Sequence, residues 1–293
     1  MRNRKARLAA VAGALALATG LAAPAYADAP APITAPAAAL DTPVVHGRAA
    51  YLLDASTGKA LLDDDGGERM PVASLTKTMT AYVALKLARP TDVVEISDAD
   101  VAYAEDGGGT TAGLRSGDRL TVGELLYGLM LPSGADAAHA LARTYGPGVD
   151  GFVARMNATA RELGMNDTLY VNADGLPTPE GDGYSTARDQ AVLAAAALRV
   201  PLIAQAAGAR SHSLAAGDEH GAYTWRNTNR LLGTPGAIGV KTGFTRAAGY
   251  CLAFAGREDG RVLVGVILGE SVSSRRFSTA ESLLAWGTDR AAA

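Results

Sequence analysis

A serine and a lysine lie three residues apart, at Ser74 and Lys77, where a run of helix-forming residues (73–89) begins. Residues i and i+3 share one face of a helix, so the lysine amine can reach the serine hydroxyl. An unprotonated lysine can take the proton of a serine hydroxyl and so activate it as a nucleophile. The pair therefore predicts acyl transfer through a serine ester, although S-x-x-K alone also occurs by chance in surface helices.

Two further motifs follow, S-G-A at 133–135 between two apolar stretches and K-T-G at 241–243 inside a strand-like segment (237–244). S-x-x-K, a serine-centred middle motif and K-T-G together are the signature of serine penicillin-binding proteins and class A β-lactamases. With these residues the chain resembles the D-alanyl-D-alanine carboxypeptidases, the low-molecular-mass penicillin-binding proteins. The resemblance covers roughly residues 46–290 and includes segments 54–58, 129–134, 184–189 and 241–250.

The resemblance implies a reaction on peptidoglycan stem peptides that end in D-Ala-D-Ala, without a cofactor or metal, and covalent inhibition by β-lactam antibiotics. Ser74 attacks the penultimate carbonyl, D-alanine leaves, and water hydrolyses the acyl-enzyme. Lys77 is the base, and Ser133 hydrogen-bonds to the Ser74–Lys77 pair and passes a proton to the leaving amine. Because a free lysine is protonated at neutral pH, the pKa of Lys77 must be lowered, and we expect burial and the charge of Lys241 to lower it.

Four residues at the third motif are implied to bind the substrate. Lys241 and Thr242 hold its terminal carboxylate through charge-assisted hydrogen bonds. Gly243 lets the substrate backbone lie close to the strand, where a side chain would block it. The N–H of Phe244 forms an oxyanion hole together with the N–H of Ser74, and losing one such donor typically slows a reaction about 100- to 1000-fold.

One position departs from the family pattern, because the middle motif normally reads Ser-x-Asn and Ala135 occupies the Asn position here. The family's amide bonds the substrate backbone and the catalytic lysine, and alanine can do neither. Asp136 is no substitute, since the next residue of a helix points about 100° away. One such hydrogen bond is worth about 1–3 kcal/mol. We therefore expect slower turnover or a narrower substrate range, and faster acylation in Ala135→Asn if the pocket has room for the amide.

The order of the predicted elements indicates an α+β fold with a helical lobe inserted into a sheet domain. A hairpin comes first (49–54 and 59–62), and a second hairpin (250–256 and 262–268) precedes a C-terminal helix (274–286). Further predicted helices are 121–131, 135–145, 149–163 and 186–198, and further predicted strands are 222–228 and 236–242. The resemblance implies a five-stranded antiparallel sheet flanked by helices, with the active site between the sheet and the lobe.

The N-terminus has the pattern of an export signal. Residues 1–27 combine a basic start, an apolar stretch and the cleavage pattern Ala25-Tyr26-Ala27, and residues 28–45 are rich in Ala and Pro, as in an extended linker. Residues 46–293 then form one catalytic domain. We expect an exported protein of the extracellular or cell-wall space, with no stable membrane anchor once the signal is cleaved.

Charge and cysteine content exclude several classes of function. Removal of the four basic residues of segment 1–27 takes the formal net charge from −3 to −7, and such an acidic protein is a poor partner for nucleic acid or anionic lipid. Cys251 is the only cysteine, so neither an internal disulfide nor a thiolate metal site can form. Its strand-like surroundings predict a buried, unreactive thiol.

Two alternatives to the carboxypeptidase remain open. A β-lactamase would need a carboxylate that activates the deacylating water, and the loop 172–176 resembles that of the carboxypeptidases and carries no glutamate. A nearly inactive peptidoglycan-binding protein is suggested by Ala135 alone. Stable labelling by a fluorescent penicillin indicates the carboxypeptidase, rapid loss of the label indicates the β-lactamase, and absence of labelling indicates the binding protein.

Overall fold

The computed structural model describes residues 41–258 and 260–292. The predicted signal peptide (1–27) and most of the predicted linker (28–45) lie outside the described residues, and residues 41–45 have no regular secondary structure. Helices and strands are numbered along the chain.

A five-stranded antiparallel sheet forms the centre of the fold, in the strand order β2-β1-β9-β8-β7. Its strands are β1 (Ala49–Asp54), β2 (Lys59–Asp64), β7 (Ala237–Thr245), β8 (Gly249–Glu258) and β9 (Arg261–Glu270). The predicted α+β class and both predicted hairpins are confirmed. The strand β7, which carries K-T-G, lies at the edge of the sheet. One of its two long edges therefore pairs with no other strand of this sheet.

Helices cover both faces of the sheet. Those between β2 and β7 are α1 (Thr76–Leu87), α2 (Asp98–Asp106), α3 (Val122–Met130), α4 (Ala135–Tyr145), α5 (Gly148–Glu162), α6 (Ala187–Ala197) and α7 (Pro201–Gly208). The C-terminal helix α8 (Arg275–Ala292) packs on β8 and β9 from the other side. The four helices predicted between 121 and 198 are confirmed to within one residue at either end.

The two-residue period of β8 explains how one strand serves two cores. Cys251 and Ala253 belong to the core shared with the inserted helices, whereas Leu252 and Phe254 pack with the apolar side of α8. The small side chains allow the inserted helices to lie close to the sheet, and this proximity brings K-T-G towards α1.

The helices α2 and α7 were not predicted individually, because their signals are local caps and not a long apolar period. Ser97 and Asp100 form a capping box at the start of α2, in which each side chain accepts a hydrogen bond from the other residue's backbone N–H. Pro201 occupies the first turn of α7, where a proline costs no helical hydrogen bond.

The predicted strand 222–228 is present but does not join the main sheet. It is β6 (Tyr223–Arg226), which pairs with β5 (Ser211–Leu214), while β3 (Val93–Glu95) pairs with β4 (Arg119–Thr121). Trp225 holds β6 against the helical lobe, since its indole N–H donates to the carbonyl of Ala112 at 2.7 Å and its ring packs beside Gly128.

The helix α1 lies at the centre of the lobe and contacts α3, α4, α5 and α6. Such enclosure explains why nearly every residue of α1 between Thr76 and Ala84 is buried. Among the described residues no single helix is long and apolar enough to cross a membrane; only α6 and α7 together reach that length, and they meet at a bend of 111°.

Candidate active site

Ser74 lies in a 3-10 turn (Ala73–Leu75) directly before α1, and not inside the helix that the sequence predicts for 73–89. The predicted contact is nevertheless formed, because Lys77 occupies the first turn of α1 and its Nζ lies 3.0 Å from Ser74 Oγ. Ala73 has a positive φ of 49°. A non-glycine residue in this region costs about 1–3 kcal/mol, and such strain is concentrated at functional sites.

The Lys77 amine is enclosed by the protein. The residue is 1% exposed, and Nζ donates to Ser74 Oγ and to the carbonyl of Asp174, each at 3.0 Å. Burial lowers the pKa of Lys77, and the carboxylates of Asp174 and Asp136 act in the opposite direction. The predicted burial effect is confirmed, and it makes a neutral, proton-accepting amine accessible at lower pH than for a lysine in water.

The predicted repulsion between the two lysines acts on Lys241. Burial and then the positive charge of Lys77 lower the pKa of Lys241 well below its ordinary value, whereas the charges that act on Lys77 come from carboxylates. At 1% exposure each, the two amines cannot both carry a charge at low cost. The site therefore favours at most one ammonium group while no anion is bound.

Ser133 lies in the link between α3 and α4 with a φ of 71°, a second strained non-glycine residue beside the site. Its carbonyl accepts a hydrogen bond from the Thr110 hydroxyl at 2.7 Å. Its own hydroxyl is buried and has no hydrogen-bond partner among the described residues. The predicted hydrogen bond from Ser133 to Ser74 or Lys77 is thus not formed in this conformation. A buried hydroxyl without a partner is one that a substrate amine can engage.

Ala135 begins α4 and is fully buried. The backbone of Gly109 lies beside it, since a Cβ added to Gly109 would lie 3.1 Å from Ala135 Cβ. An asparagine side chain at this fully buried position would therefore have to displace its neighbours. Asp136 points elsewhere, as predicted, and accepts hydrogen bonds from Thr111 Oγ1 and from the backbone N–H of residues 112 and 114.

We expect Ala135→Asn to destabilise the fold by about 1–3 kcal/mol, because two extra polar atoms and a carbon would be forced into a packed interior. For a domain of this size the melting temperature should fall by about 2–4 °C per kcal/mol. The matched variant Ala135→Ser adds a single atom at the same position and should cost less. An Ala135→Asn variant that is as stable as the wild type and acylates faster would contradict this steric account.

Two of the predicted substrate-binding side chains have partners within the protein. Lys241 Nζ donates to the carbonyl of Thr242 at 3.1 Å. The hydroxyl of Thr242 lies 2.6 Å from the hydroxyl of Thr228, whose backbone N–H donates to the carbonyl of Leu131 just before Ser133. Thr228 therefore connects the K-T-G strand to the middle motif.

Gly243 has a structural role that the sequence analysis did not give. A Cβ at this position would lie 3.0 Å from the carbonyl oxygen of Val72 and 3.2 Å from the backbone nitrogen of Ser74. The glycine thus allows the strand to approach the turn that carries Ser74, and its role beside the substrate backbone stays a prediction. Phe244 is 51% exposed, and its ring stacks on Tyr250 with centroids 4.4 Å apart. The role of its N–H in an oxyanion hole remains a prediction.

The sequence analysis did not single out three residues that support this site. Arg276, 8% exposed at the start of α8, donates to the carbonyls of Gly243 and Cys251 at 2.9 and 3.1 Å. Thr228 contacts the site from a segment without a sequence motif, and Asp174 lies in the loop 172–176, whose resemblance to the carboxypeptidases did not indicate a contact with Lys77. The only sequence feature at Arg276 is the pair of arginines at 275–276, and such pairs are too common at protein surfaces to indicate a contact with the site.

Other residues have structural roles. Cys251 is buried, and burial raises the pKa of its thiol to about 11, which confirms the predicted unreactive cysteine. Arg188 pairs with Asp63 at 2.6 Å, and Asn227 donates to the carbonyls at 207 and 209. Within residues 41–258 and 260–292, no group of three His, Cys, Asp or Glu side chains could hold a metal ion.

Comparison with known proteins agrees with this arrangement. A family model described as D-alanyl-D-alanine carboxypeptidase matches residues 36–272. The chain is 35% identical over 265 residues to the D-alanyl-D-alanine carboxypeptidase of Streptomyces sp. (strain K15), covering 86% of this chain and 90% of that protein. It is 33% identical over 243 residues to DacF of Bacillus subtilis (strain 168), but spans only 61% of that longer protein.

Solved structures show the same similarity. The crystal structure of the Streptomyces K15 DD-transpeptidase superposes with a TM-score of 0.81 at 33% sequence identity, covering 85% of this chain and 100% of that one. The family match extends over most of the chain, and the contact between Ser74 and the buried Lys77 is formed. The chain belongs to the D-alanyl-D-alanine carboxypeptidase family of serine peptidases.

Proposed function

We propose that this enzyme removes the terminal D-alanine from peptidoglycan stem peptides ending in D-Ala-D-Ala, through an acyl-enzyme on Ser74. The observation that carries the proposal is the 3.0 Å contact between Ser74 Oγ and the buried, pKa-lowered amine of Lys77. Ser74 is only partly buried, so its hydroxyl can be reached by a substrate while the base behind it is shielded from water. This is the arrangement of an activated nucleophile.

Acylation follows from this geometry in two steps. The Ser74 O–H bond breaks, its proton passes to Lys77 Nζ, and Oγ bonds to the penultimate carbonyl carbon. When the peptide bond then breaks, the departing D-alanine nitrogen gains a proton through Ser133, whose hydroxyl is buried and unpartnered. Water next hydrolyses the ester and restores the Ser74 hydroxyl. Penicillin would acylate the same oxygen when its ring opens.

Substrate orientation is assigned to the K-T-G strand. Lys241 and Thr242 bind the terminal carboxylate, and the N–H groups of Ser74 and Phe244 stabilise the negative oxygen of the tetrahedral intermediate. Arg276 supports this arrangement through its contact with the Gly243 carbonyl. The close approach of Gly243 to the backbone nitrogen of Ser74 supports this assignment, because Phe244 follows Gly243 in the strand.

The decisive test is mass spectrometry of the protein after incubation with a D-Ala-D-Ala peptide and, separately, with a penicillin. We expect D-alanine release from the peptide and a stable adduct on Ser74 with penicillin. Because the similar Streptomyces protein is named both a carboxypeptidase and a DD-transpeptidase, an amine acceptor should be added in a parallel reaction to measure transfer. Rapid loss of the adduct would indicate a β-lactamase, and no adduct would indicate a binding protein.

Carboxylate binding should take up a proton. The free site disfavours a second ammonium, whereas a bound carboxylate stabilises the charged form of Lys241 and raises its pKa. In Ser74→Ala, calorimetry with a D-Ala-D-Ala peptide in buffers of different ionisation enthalpy should therefore show proton uptake once the pH exceeds the lowered pKa of Lys241 in the free site. Lys241→Arg, which stays charged, should bind without uptake. If Ser74→Ala with Lys241 unchanged shows the same binding enthalpy in every buffer, this assignment is refuted.

We propose further that the enzyme acts in the cell envelope after export, with residues 1–27 as the cleaved signal and 28–45 as a linker ahead of the catalytic domain. The substrate itself supports this location, because peptidoglycan is assembled outside the cytoplasmic membrane. Sequencing of the N-terminus of the protein recovered from the culture medium and the cell wall tests it. A mature protein that begins near residue 28 is expected, and one that retains residue 1 would contradict it.

A further inference from the structure

The loop 172–176 is held rigidly beneath the catalytic turn. The Asn172 side chain accepts from the backbone N–H of Gly175 at 2.7 Å and donates to the carbonyl of Leu176 at 2.7 Å. Gly175 has a φ of +81°, and a Cβ there would lie 2.0 Å from the carbonyl oxygen of Ala73. Any side chain at 175 would therefore displace the turn that carries Ser74, so the loop and the nucleophile are positioned together.

Asp174 is the residue that this loop presents to Lys77. It is 1% exposed, its carbonyl accepts from Lys77 Nζ at 3.0 Å, and its Oδ1 accepts from the backbone N–H of Leu176 at 2.8 Å. Its Oδ2 is buried and has no well-aligned hydrogen-bond donor among the described residues. Leaving a buried acceptor without a partner forfeits the hydrogen bonds that it would make with water, so such an atom requires a functional or structural explanation.

The other groups around Lys77 do not provide that explanation. The Asp136 carboxylate from α4 already accepts three hydrogen bonds that fix residues 111–114. Lys241 on β7 supplies no negative charge, and its own pKa is lowered by burial and by Lys77. Tyr103 on α2 contacts the Asp174 side chain; burial, the charge of Asp174 and a hydrogen bond to it raise the pKa of the phenol, so the hydroxyl stays protonated and neutral. Asp174 thus places a buried carboxylate beside Lys77, and its Oδ2 accepts no backbone hydrogen bond.

We propose that Asp174 is a positioning residue for the catalytic lysine: its carbonyl holds the amine beside Ser74, and its buried carboxylate balances the positive charge that the amine acquires when it deprotonates Ser74. The catalytic part of this inference rests on the proposed function. The electrostatic part concerns Lys77 in the resting protein and can be tested without any substrate.

The chemistry explains why such a residue is needed. Burial favours the neutral amine of Lys77, but burial alone would also make it a weak base, because the ammonium formed on proton transfer has lost its water. A fixed carboxylate nearby stabilises that ammonium without taking the proton itself, since the proton returns from Nζ to the leaving nitrogen through Ser133. Asp174 opposes the effect of burial on the pKa of Lys77, and this is the direction required.

The test is an NMR titration of lysine ε-¹³C groups. Residues 41–293 contain only Lys59, Lys77, Lys86 and Lys241. Lys59→Arg, Lys86→Arg and Lys77→Met therefore assign the signals. In Asp174→Asn, which keeps the carbonyl and the acceptor for Leu176, the pKa of Lys77 should fall further below its wild-type value. Asp174→Ala should also lower the pKa of Lys77. Agreement between the two variants would show that the asparagine amide does not cause the change.

Tyr103→Phe is the matched control. It removes the hydroxyl beside Asp174 but keeps the carboxylate and the aromatic stacking on His139, so the pKa of Lys77 should change little. An unchanged pKa of Lys77 in folded Asp174→Asn would overturn the proposal, and so would an equal fall in Tyr103→Phe. Melting curves confirm that the variants are folded.

Penicillin acylation gives the second readout. In Asp174→Asn, acylation at the optimum should be slower by about tenfold or more, as is typical when charge stabilisation of a proton transfer is lost. The acid limb of its pH profile should move to lower pH, whereas a loss of packing alone would lower the rate without moving the limb. If the pKa of Lys77 falls in Asp174→Asn but the wild-type protein is not acylated, the proposed function fails and the electrostatic role of Asp174 stands. If wild type is acylated and neither readout moves, the role of Asp174 fails alone.

Discussion

Ser74→Ala should abolish penicillin labelling and lower D-alanine release by at least about 10³-fold, while the protein remains folded. The substitution removes the one oxygen that can form the ester, and the oxyanion donors and carboxylate-binding residues that remain cannot replace a covalent step. Stability should change little, because Ser74 is partly exposed and Lys77 Nζ keeps its hydrogen bond to the Asp174 carbonyl. One lost hydrogen bond amounts to about 1 kcal/mol.

The measurement combines intact-mass analysis after penicillin treatment, a D-alanine release assay and a melting curve. Ser133→Ala provides the contrast, because that variant should react slowly but still carry its label on Ser74. Labelling of folded Ser74→Ala at any other residue would show that the nucleophile has been misassigned.

Removal of the base at Lys77 should have the second-largest effect. Lys77→Arg preserves charge, but a guanidinium does not lose its proton in the working pH range and cannot accept one from Ser74. Acylation should therefore be lost. The same change places a permanent charge in a site where the amine is 1% exposed, and a buried, incompletely paired charge destabilises by several kcal/mol. A second variant is needed in case the arginine form does not fold.

Lys77→Met is that variant, because methionine fills a similar volume without an amine and adds no permanent positive charge. Both folded variants should fail to form the penicillin adduct. If Lys77→Met acylates near the wild-type rate, Lys77 is not the base, whatever happens to the arginine form.

The pH dependence of wild-type acylation follows from the same residue. Burial lowers the pKa of Lys77, and the base must be neutral to act. The rate should therefore rise with pH as Lys77 deprotonates and level off once pH exceeds that lowered pKa, below the ordinary lysine value of about 10.4. The acid limb should be absent from the residual activity of Lys77→Met. If the rate of Lys77→Met still falls at low pH, a group other than Lys77 causes the acid limb.

Local contacts could be predicted from the sequence because they depend on periodicity and short spacing. The i, i+3 relation brought Lys77 to Ser74 even though Ser74 lies in a 3-10 turn before the helix, since the side chains still share one face. The hairpins β1–β2 and β8–β9 followed from short turns between apolar runs. The K-T-G strand was placed correctly because its motif is contiguous.

Long-range contacts left no such signal. Asp174 reaches Lys77 across 97 residues, and Thr242 reaches Thr228 from a neighbouring segment that carries no motif. A single contact between distant positions has no period and no characteristic composition, so only the packed chain reveals it. The strand β6 illustrates the same limit: its sequence is strand-like, but the burial of Trp225 against the helical lobe excludes it from the main sheet.

The sequence by itself therefore determined the family, the fold class and the contact between Ser74 and Lys77, because each of these depends on contiguous motifs and local periods. Tertiary structure alone decided what surrounds them. It showed that Ala135 is fully buried beside Gly109, that Gly243 makes room for the Ser74 turn, and that the carbonyl of Asp174 accepts a hydrogen bond from Lys77. The physical reason is that side-chain volume and charge act on whatever lies within a few ångströms, and the folded chain sets those distances independently of sequence separation.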